Sequence, residues 1–313
     1  MSFAIIFNGQ GAHYEEMGQD FAEEFPAAKA IYEEVEKITN YPVREQIIDD
    51  FEILKETRYA QVAIAATSLA IYQSIKPELP AIDYMAGLSL GEYTALIASG
   101  MLSFEEGFQV LKARGQLMTK HCQQLQNSSD IIMAAVLKMP LEAVKEIIAE
   151  VNQEETRLYL ANLNSSTQVT IAGTKEAVNQ FKKRAREQGY KRVMPLKVEG
   201  PFHSPYMEEV AEPYAEILKE VSFQKGSVPV VSNTTVKPHT PEEIKSLLVR
   251  HLTESVRWEE TINYLVEQGV TKIIQIGPGK TLANLLKREE NAPETLVIDK
   301  VEDVDKIKEF IGG

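Results

Sequence analysis

The stretch Asp83-Tyr84-Met85-Ala86-Gly87-Leu88-Ser89-Leu90-Gly91-Glu92-Tyr93 constrains the fold more than any other part of the chain. The apolar run from Tyr84 to Leu88 reads as a short buried strand. Leu90, Tyr93, Leu96 and Ile97 then recur at helical spacing as far as Ser99, and Gly100 stands where a helix-ending glycine belongs. Between strand and helix lies Gly87-Leu88-Ser89-Leu90-Gly91, a G-x-S-x-G pattern. A strand that turns at once into a helix needs little bulk on either side of the serine. Such a turn lifts the hydroxyl above the carboxyl edge of a sheet, where the helix aims its first amides at developing charge. G-x-S-x-G alone is common in loops. The strand before it and the helix after it make Ser89 a candidate nucleophile.

The rest of the chain supplies a sheet for that turn. Phe3–Phe7 reads as a buried strand running into Asn8-Gly9-Gln10-Gly11-Ala12-His13, a loop whose glycines let a ligand approach the backbone. Pro26–Tyr59 reads as an amphipathic helix and Val62–Ile75 as a nearly continuous apolar one beneath the serine turn. Ser103-Phe104-Glu105-Glu106 is a capping box. It opens a helix that buries Phe104, Phe108, Leu111 and Met118. Arg114 lies beside that stripe, where an arginine draped over the core at the surface would fit. Strands follow at Val228–Ser232, Lys272–Ile276 and Glu294–Val301, with helices from Tyr206, at Thr240, over Trp258–Gln268 and over Thr281–Lys287. This alternation describes an α/β fold, a mostly parallel sheet covered on both faces. Gly279-Lys280-Thr281 ends like a phosphate-binding loop, but Ile274 occupies the place of its first glycine, so no nucleotide cradle is expected.

Asp130 to Lys197 has a rhythm of its own. Strands are expected at Ile131–Lys138, Arg157–Ala161, Gln168–Ala172 and Lys191–Lys197, with helices at Leu141–Val151 and Lys175–Gln188. This β-α-β-β-α-β order is ferredoxin-like and suggests a subdomain, 129–194, inserted into a core of 1–128 and 195–313. Lys182, Lys183, Arg184, Arg186, Lys191 and Arg192 crowd its end against one acid, Glu187. A solvated face is the ordinary meaning of such a run. It stands out here because the chain carries a net charge of −13, which disfavours nucleic acid as a partner. With 44% apolar and 25% charged residues, the composition is that of a folded globular chain. The single Cys122 leaves no internal disulfide and no cysteine metal cluster. No apolar run approaches the roughly 20 residues of a membrane span, and Met1 to Phe7 lacks a basic region and a cleavage site. A cytoplasmic, monomeric protein without metal or membrane contact is expected.

Gly200-Pro201-Phe202-His203-Ser204-Pro205 is a proline-bracketed turn presenting a histidine, the best placed of five for a general base. Taken in order, Asn8-Gly-Gln-Gly11, Gly87-Leu-Ser-Leu-Gly-Glu-Tyr93, Arg114-Gly115, Gly200-Pro-Phe-His203 and Gly277-Pro-Gly-Lys280 cover nearly the whole chain. Together they resemble the malonyl-CoA:acyl carrier protein transacylases of bacterial type II fatty-acid synthesis. The resemblance implies an α/β-hydrolase-like core with the inserted ferredoxin-like subdomain and a site between them. By position it implies Ser89 as nucleophile, His203 as base, the backbone amides of Gln10 and Leu90 as oxyanion hole, and Arg114 as a bidentate clamp on the malonyl carboxylate. Phe202 resembles the residue favouring malonyl over methylmalonyl units, and Asn162 and Asn164 match asparagines near the family's site. The base is implied to lean on a backbone carbonyl at His251, where glutamine is frequent, and His251 is counted with the substrate-binding residues. Leu88 stands where histidine is frequent and Asn8 where proline is common, neither with an expected consequence.

The implied reaction is ping-pong acyl transfer from malonyl-CoA to acyl carrier protein, without a metal or bound cofactor. Lys191, Arg192, Lys287 and Arg288 are the candidate landing surface for the acidic carrier protein and the coenzyme A phosphates. Three other readings share parts of the pattern. A serine hydrolase or thioesterase has no clear purpose for Arg114 or the Gln10 loop. A stand-alone acyltransferase of a polyketide assembly line shares every motif. A non-catalytic carrier-binding scaffold would not retain nucleophile, base and clamp together.

Overall fold

Phe3-Ala4-Ile5-Ile6-Phe7 is apolar at every position because this strand is covered on both faces. In the computed structural model, which describes residues 1–128, 130–153 and 157–312, all five residues are buried. The strands are β1 (Phe3–Phe7), β2 (Tyr84–Gly87), β3 (Ile131–Leu137), β4 (Leu158–Ser165), β5 (Gln168–Thr174), β6 (Val193–Pro195), β7 (Val256–Arg257), β8 (Lys272–Ile276) and β9 (Glu294–Ile298). Among the described residues they form two sheets.

The first has the order β2-β1-β8-β9 and every pairing is parallel. Ile5 and Phe7 face a core built with the Thr57–Ile75, Leu90–Ser99 and Phe104–Ser128 helices. Ala4 and Ile6 face the other way, against Trp258, Ile262, Leu265, Leu282 and Leu285 of the Trp258–Glu267 and Thr281–Leu286 helices. Period-two alternation along β1 thus feeds two hydrophobic layers.

The second sheet has the order β6-β3-β5-β4-β7. Its first four strands pair antiparallel. The Leu141–Asn152 and Lys175–Glu187 helices pack Val144, Ile147, Val151, Val178 and Phe181 on one face. Strand β7 then adds in parallel to β4, Asn162 opposite Val256 and Leu163 opposite Arg257, which joins this sheet to the chain that returns to the first.

Several elements depart from the sequence expectations. Pro26–Tyr59 is not one helix: Pro26–Thr39 ends at Asn40, whose φ of 55° closes the helix in the left-handed conformation. Pro42 then cannot donate to a continuing helix. A π-helical turn at Val43–Ile47 and a short helix at Phe51–Leu54, capped by Asp50, precede a long apolar helix that starts at Thr57 rather than Val62. Strand β6 covers only Val193–Pro195 of the expected Lys191–Lys197, as suits an edge strand ending in proline. Val228–Ser232 makes only isolated bridges, Met85 with Val230 and Val231 with Pro238. The Thr240 turn precedes a helix that begins at Ile244, β4 runs on to Ser165, and β9 stops at Ile298. The expected domain boundary at 129 lies outside the described residues. Among them, no helix is long and apolar enough to cross a membrane.

Candidate active site

Ser89 sits between β2 and the Leu90–Ser99 helix with φ 54° and ψ −107°, a conformation that L-residues rarely hold. The flanking glycines are there for packing. A Cβ on Gly87 would lie 2.0 Å from the carbonyl carbon of Gly91, and one on Gly91 would lie 2.1 Å from the carbonyl oxygen of Phe7. The turn therefore presses against β1 with only hydrogens between backbones. Asn233, 0% exposed, holds it there: its Oδ1 accepts the Ser89 N–H at 2.7 Å and its Nδ2 donates to the Gly87 carbonyl at 2.8 Å.

His203 also has a positive φ, 58°, in its proline-bracketed turn. Its Nε2 lies 2.7 Å from Ser89 Oγ and its Nδ1 lies 2.7 Å from the His251 carbonyl oxygen. A carbonyl can only accept, so Nδ1 carries the hydrogen and Nε2 is left bare to accept from the serine hydroxyl. Burial, reinforced by the Arg114 cation, pushes the imidazole down to about 3 from an ordinary value of 6.5, against a smaller opposing pull from the His251 carbonyl. The ring is neutral near pH 7 and ready to take a proton.

Both groups open on a cavity of about 350 Å³ between the two sheets. Gln10, Leu90, Arg114, Phe202, Asn162 and Asn164 line it with them. Gln10 is steadied through its side chain, which donates to Thr57 Oγ1 at 3.0 Å. Among the described residues, neither the Gln10 nor the Leu90 backbone amide has an intramolecular partner.

Arg114 does not drape over the core at the surface, as its place on the helix suggested. It is 1% exposed, with Nη1 donating to Gln61 Oε1 at 2.6 Å and the guanidinium carbon 5.0 Å from the centre of the Tyr93 ring. Its Nε and Nη2 are buried without a partner, and among the described residues no carboxylate pairs with it. A guanidinium with a whole donor edge unused, in the wall of a cavity, is a site for an anion with two oxygens.

His251 is corrected by the geometry. It does not line the cavity: it is 1% exposed, with its ring 4.8 Å from that of His203, and it offers the site a carbonyl rather than a side chain. Lys191 and Arg192 are exposed at the opposite end of β6 from Leu196 and Lys197, which do line the cavity. Lys287 is exposed, and Arg288 donates at 2.8 Å to Gln168, a wall residue. Asn8, expected to have no consequence, has one. Its Nδ2 donates to the Pro278 carbonyl at 2.8 Å and its Oδ1 accepts from the Leu282 N–H at 3.2 Å. This fixes the Thr281–Leu286 helix, which brings Thr281 and Leu285 to the cavity wall. Sequence reasoning missed Gln61, Asn233 and Lys197. Gln61 alone carried a signal, as an amide bordering the apolar Val62–Ile75 run.

Residues 4–306, which span both sheets, match the acyl transferase domain family. A malonyl CoA-acyl carrier protein transacylase of Bacillus subtilis (strain 168) is 37% identical over 304 residues, 96% of this chain and 95% of the relative. The crystal structure of MCAT from Streptococcus pneumoniae superposes with a TM-score of 0.92 at 36% identity, covering 98% of this chain and 100% of that one. A malonyl-transacylase solved in complex with its type II PKS acyl-carrier protein superposes with a TM-score of 0.92 at 31% identity, covering 100% of both chains. The chain belongs to the malonyl CoA-acyl carrier protein transacylase family.

Proposed function

We propose that this protein transfers the malonyl group of malonyl-CoA to the phosphopantetheine thiol of an acyl carrier protein, through a malonyl ester on Ser89, and so supplies fatty-acid elongation. The observation that carries this reading is Arg114. Its unpartnered Nε–H and Nη2–H lie on one edge of the guanidinium, spaced for the two oxygens of a carboxylate, and Arg114 lines the cavity that holds Ser89 and His203. A malonyl thioester is an acyl group that ends in such a carboxylate.

Ser89 Oγ attacks the thioester carbonyl while His203 Nε2 takes its proton. The oxyanion rests on the Gln10 and Leu90 amides, donors of a kind worth about 2.7–4 kcal/mol each in the transition state. Collapse breaks the C–S bond, and His203 returns the proton to the departing coenzyme A sulfur. The carrier's thiol next gives its proton to His203 and attacks the ester carbonyl. The C–O bond breaks and Ser89 Oγ recovers the proton, which closes a ping-pong cycle. These steps call on no metal or bound cofactor. The clamp holds the acyl group where an aligned thiol reaches it and water does not.

Phe202, on the same wall, fills the space an α-methyl group would need, and Asn162 and Asn164 support the pocket. Lys191, Arg192, Lys287 and Arg288 form a cationic landing surface on an otherwise anionic chain, suited to an acidic carrier protein and the coenzyme A phosphates. The strand order β6-β3-β5-β4 supports a ferredoxin-like subdomain, 129–194, set in an α/β-hydrolase-like core of 1–128 and 195–313. We place the protein in the cytoplasm as a monomer.

Intact-mass analysis after incubation with malonyl-CoA tests the reading. One malonyl adduct on Ser89 is expected, absent from Ser89→Ala, discharged quickly by holo acyl carrier protein and slowly by water. Rapid discharge by water alone would make the protein a hydrolase instead. The neighbour solved with a polyketide carrier supports a second reading, in which the acceptor belongs to a polyketide assembly line. Transfer rates to fatty-acid and polyketide carriers, measured side by side, separate the two.

A further inference from the structure

Behind the Ser89–His203 pair lies a buried layer that the steps above leave unused. Its centre is Glu92, 1% exposed, in the first turn of the Leu90–Ser99 helix. Glu92 Oε1 accepts from His239 Nε2 at 2.5 Å. Its Oε2 accepts the Asn233 backbone N–H at 3.3 Å and lies 3.5 Å from His251 Nδ1. Asn233 is the residue whose side chain spans the serine turn, and His251 is the one whose carbonyl holds His203 Nδ1. One carboxylate thus touches the supports of both reacting side chains, which come from distant parts of the chain.

A buried carboxylate is a poor way to stabilise a core, since desolvating it costs several kcal/mol and apolar filling of the same space is often neutral or better. What it can do here is over-determine a conformation. Ser89 holds a backbone conformation that persists only where its surroundings enforce it. His203 must keep one ring face and one tautomer toward it. Burial and the neighbouring His203 keep the His251 imidazole well below its ordinary value, so the ring between Glu92 and His203 stays neutral.

We propose that Glu92 is the positioning residue of this site: through the Asn233 backbone it holds the side-chain brace on the Ser89 turn, and by its contact with the His251 ring it holds the residue whose carbonyl orients His203. The inference rests on Ser89 and His203 acting as nucleophile and base, and is independent of which acyl group they carry.

Glu92→Gln keeps the shape and removes the charge, whereas Asn233→Ala removes the clamp on the turn and no charge. Two readouts apply to each: kcat and KM of malonyl transfer per titrated active site, and the rate at which phenylmethylsulfonyl fluoride sulfonylates Ser89. The second reaction forms an Oγ–S bond with loss of fluoride and needs no acyl donor. Expected is a fall of about 100-fold in both rates, the scale of a displaced reacting group. KM for malonyl-CoA should stay within about threefold, because the Arg114 clamp is untouched. A merely structural role would lower the number of active sites and leave the rate per site unchanged. A rate per site within about threefold of the parent in Glu92→Gln, whatever Asn233→Ala does, or a raised KM with kcat kept, would overturn the inference. If Glu92→Gln does not fold, Glu92→Asp, which keeps the carboxylate and withdraws it from Asn233 N–H and His251, is held to the same two readouts and decides instead. A parent that is sulfonylated at Ser89 but never malonylated would overturn the acyl-transfer reading and leave this one standing.

Discussion

At Arg114 the cost of burying a cation is offset by one amide oxygen and one aromatic face, those of Gln61 and Tyr93. No counter-ion shares the load among the described residues. Breaking a desolvated ion pair from one side costs roughly 3–5 kcal/mol. Arg114→Gln should therefore lower kcat/KM for malonyl-CoA by about 10²-fold or more while the variant stays folded, as steady-state kinetics will show. The same variant carries a pH signature. The Arg114 charge helps hold the free-enzyme His203 near 3. Removing a cation favours the imidazolium, so the pKa rises and the acid limb of kcat/KM moves up toward 6.5. A limb that stays put would show that Arg114 does not face the base electrostatically. Phe202, 8% exposed on the cavity wall, carries a steric prediction: Phe202→Ser should let methylmalonyl-CoA acylate Ser89 where the parent excludes it, read by intact mass.

The strand–turn–helix element was the most legible part of the molecule, because its geometry leaves so few residue choices. Gly87 and Gly91 are the points where two backbones meet with no room for a Cβ. Gly91→Ala pushes a methyl into the Phe7 carbonyl, so a loss of about 1–3 kcal/mol or more is expected by urea denaturation. An unchanged midpoint would mean that β1 yields easily. Elsewhere, legibility followed the length and regularity of the pattern. The Trp258–Glu267 helix and β8 fell almost where periodicity put them. Val256–Arg257 did not register, since two residues carry no period and their pairing with β4 is a tertiary fact. Asn233 escaped for a similar reason. It lies on an irregular loop, and its importance comes from a turn far away in sequence. Ser89, His203 and Arg114 were found through motifs; the supports that hold them were not, because supports need only the right atom in the right place.

Over the whole molecule, the buried imidazoles make stability depend on pH. The folded-state values of His203 and His251 lie below the unfolded value of 6.5, His203 at about 3, with desolvation as the largest cause. Below pH 6.5 the unfolded chain binds protons that the folded chain refuses. Their effect on stability is therefore absent above that value and grows more unfavourable as pH falls toward 3. Melting temperatures measured from pH 8 to 4 should be level at first and then drop, and His203→Gln should soften the drop. A flat profile would mean that these rings are not buried in solution.

The short pairing of β7 with β4 has a further consequence. Val256 and Arg257 follow closely on His251, so the strand that closes the small sheet is covalently next to the carbonyl that orients the base. The small sheet is therefore fastened to the rest of the molecule within a few residues of the reacting atoms, so whatever shifts that strand also pulls on the carbonyl that steers the base.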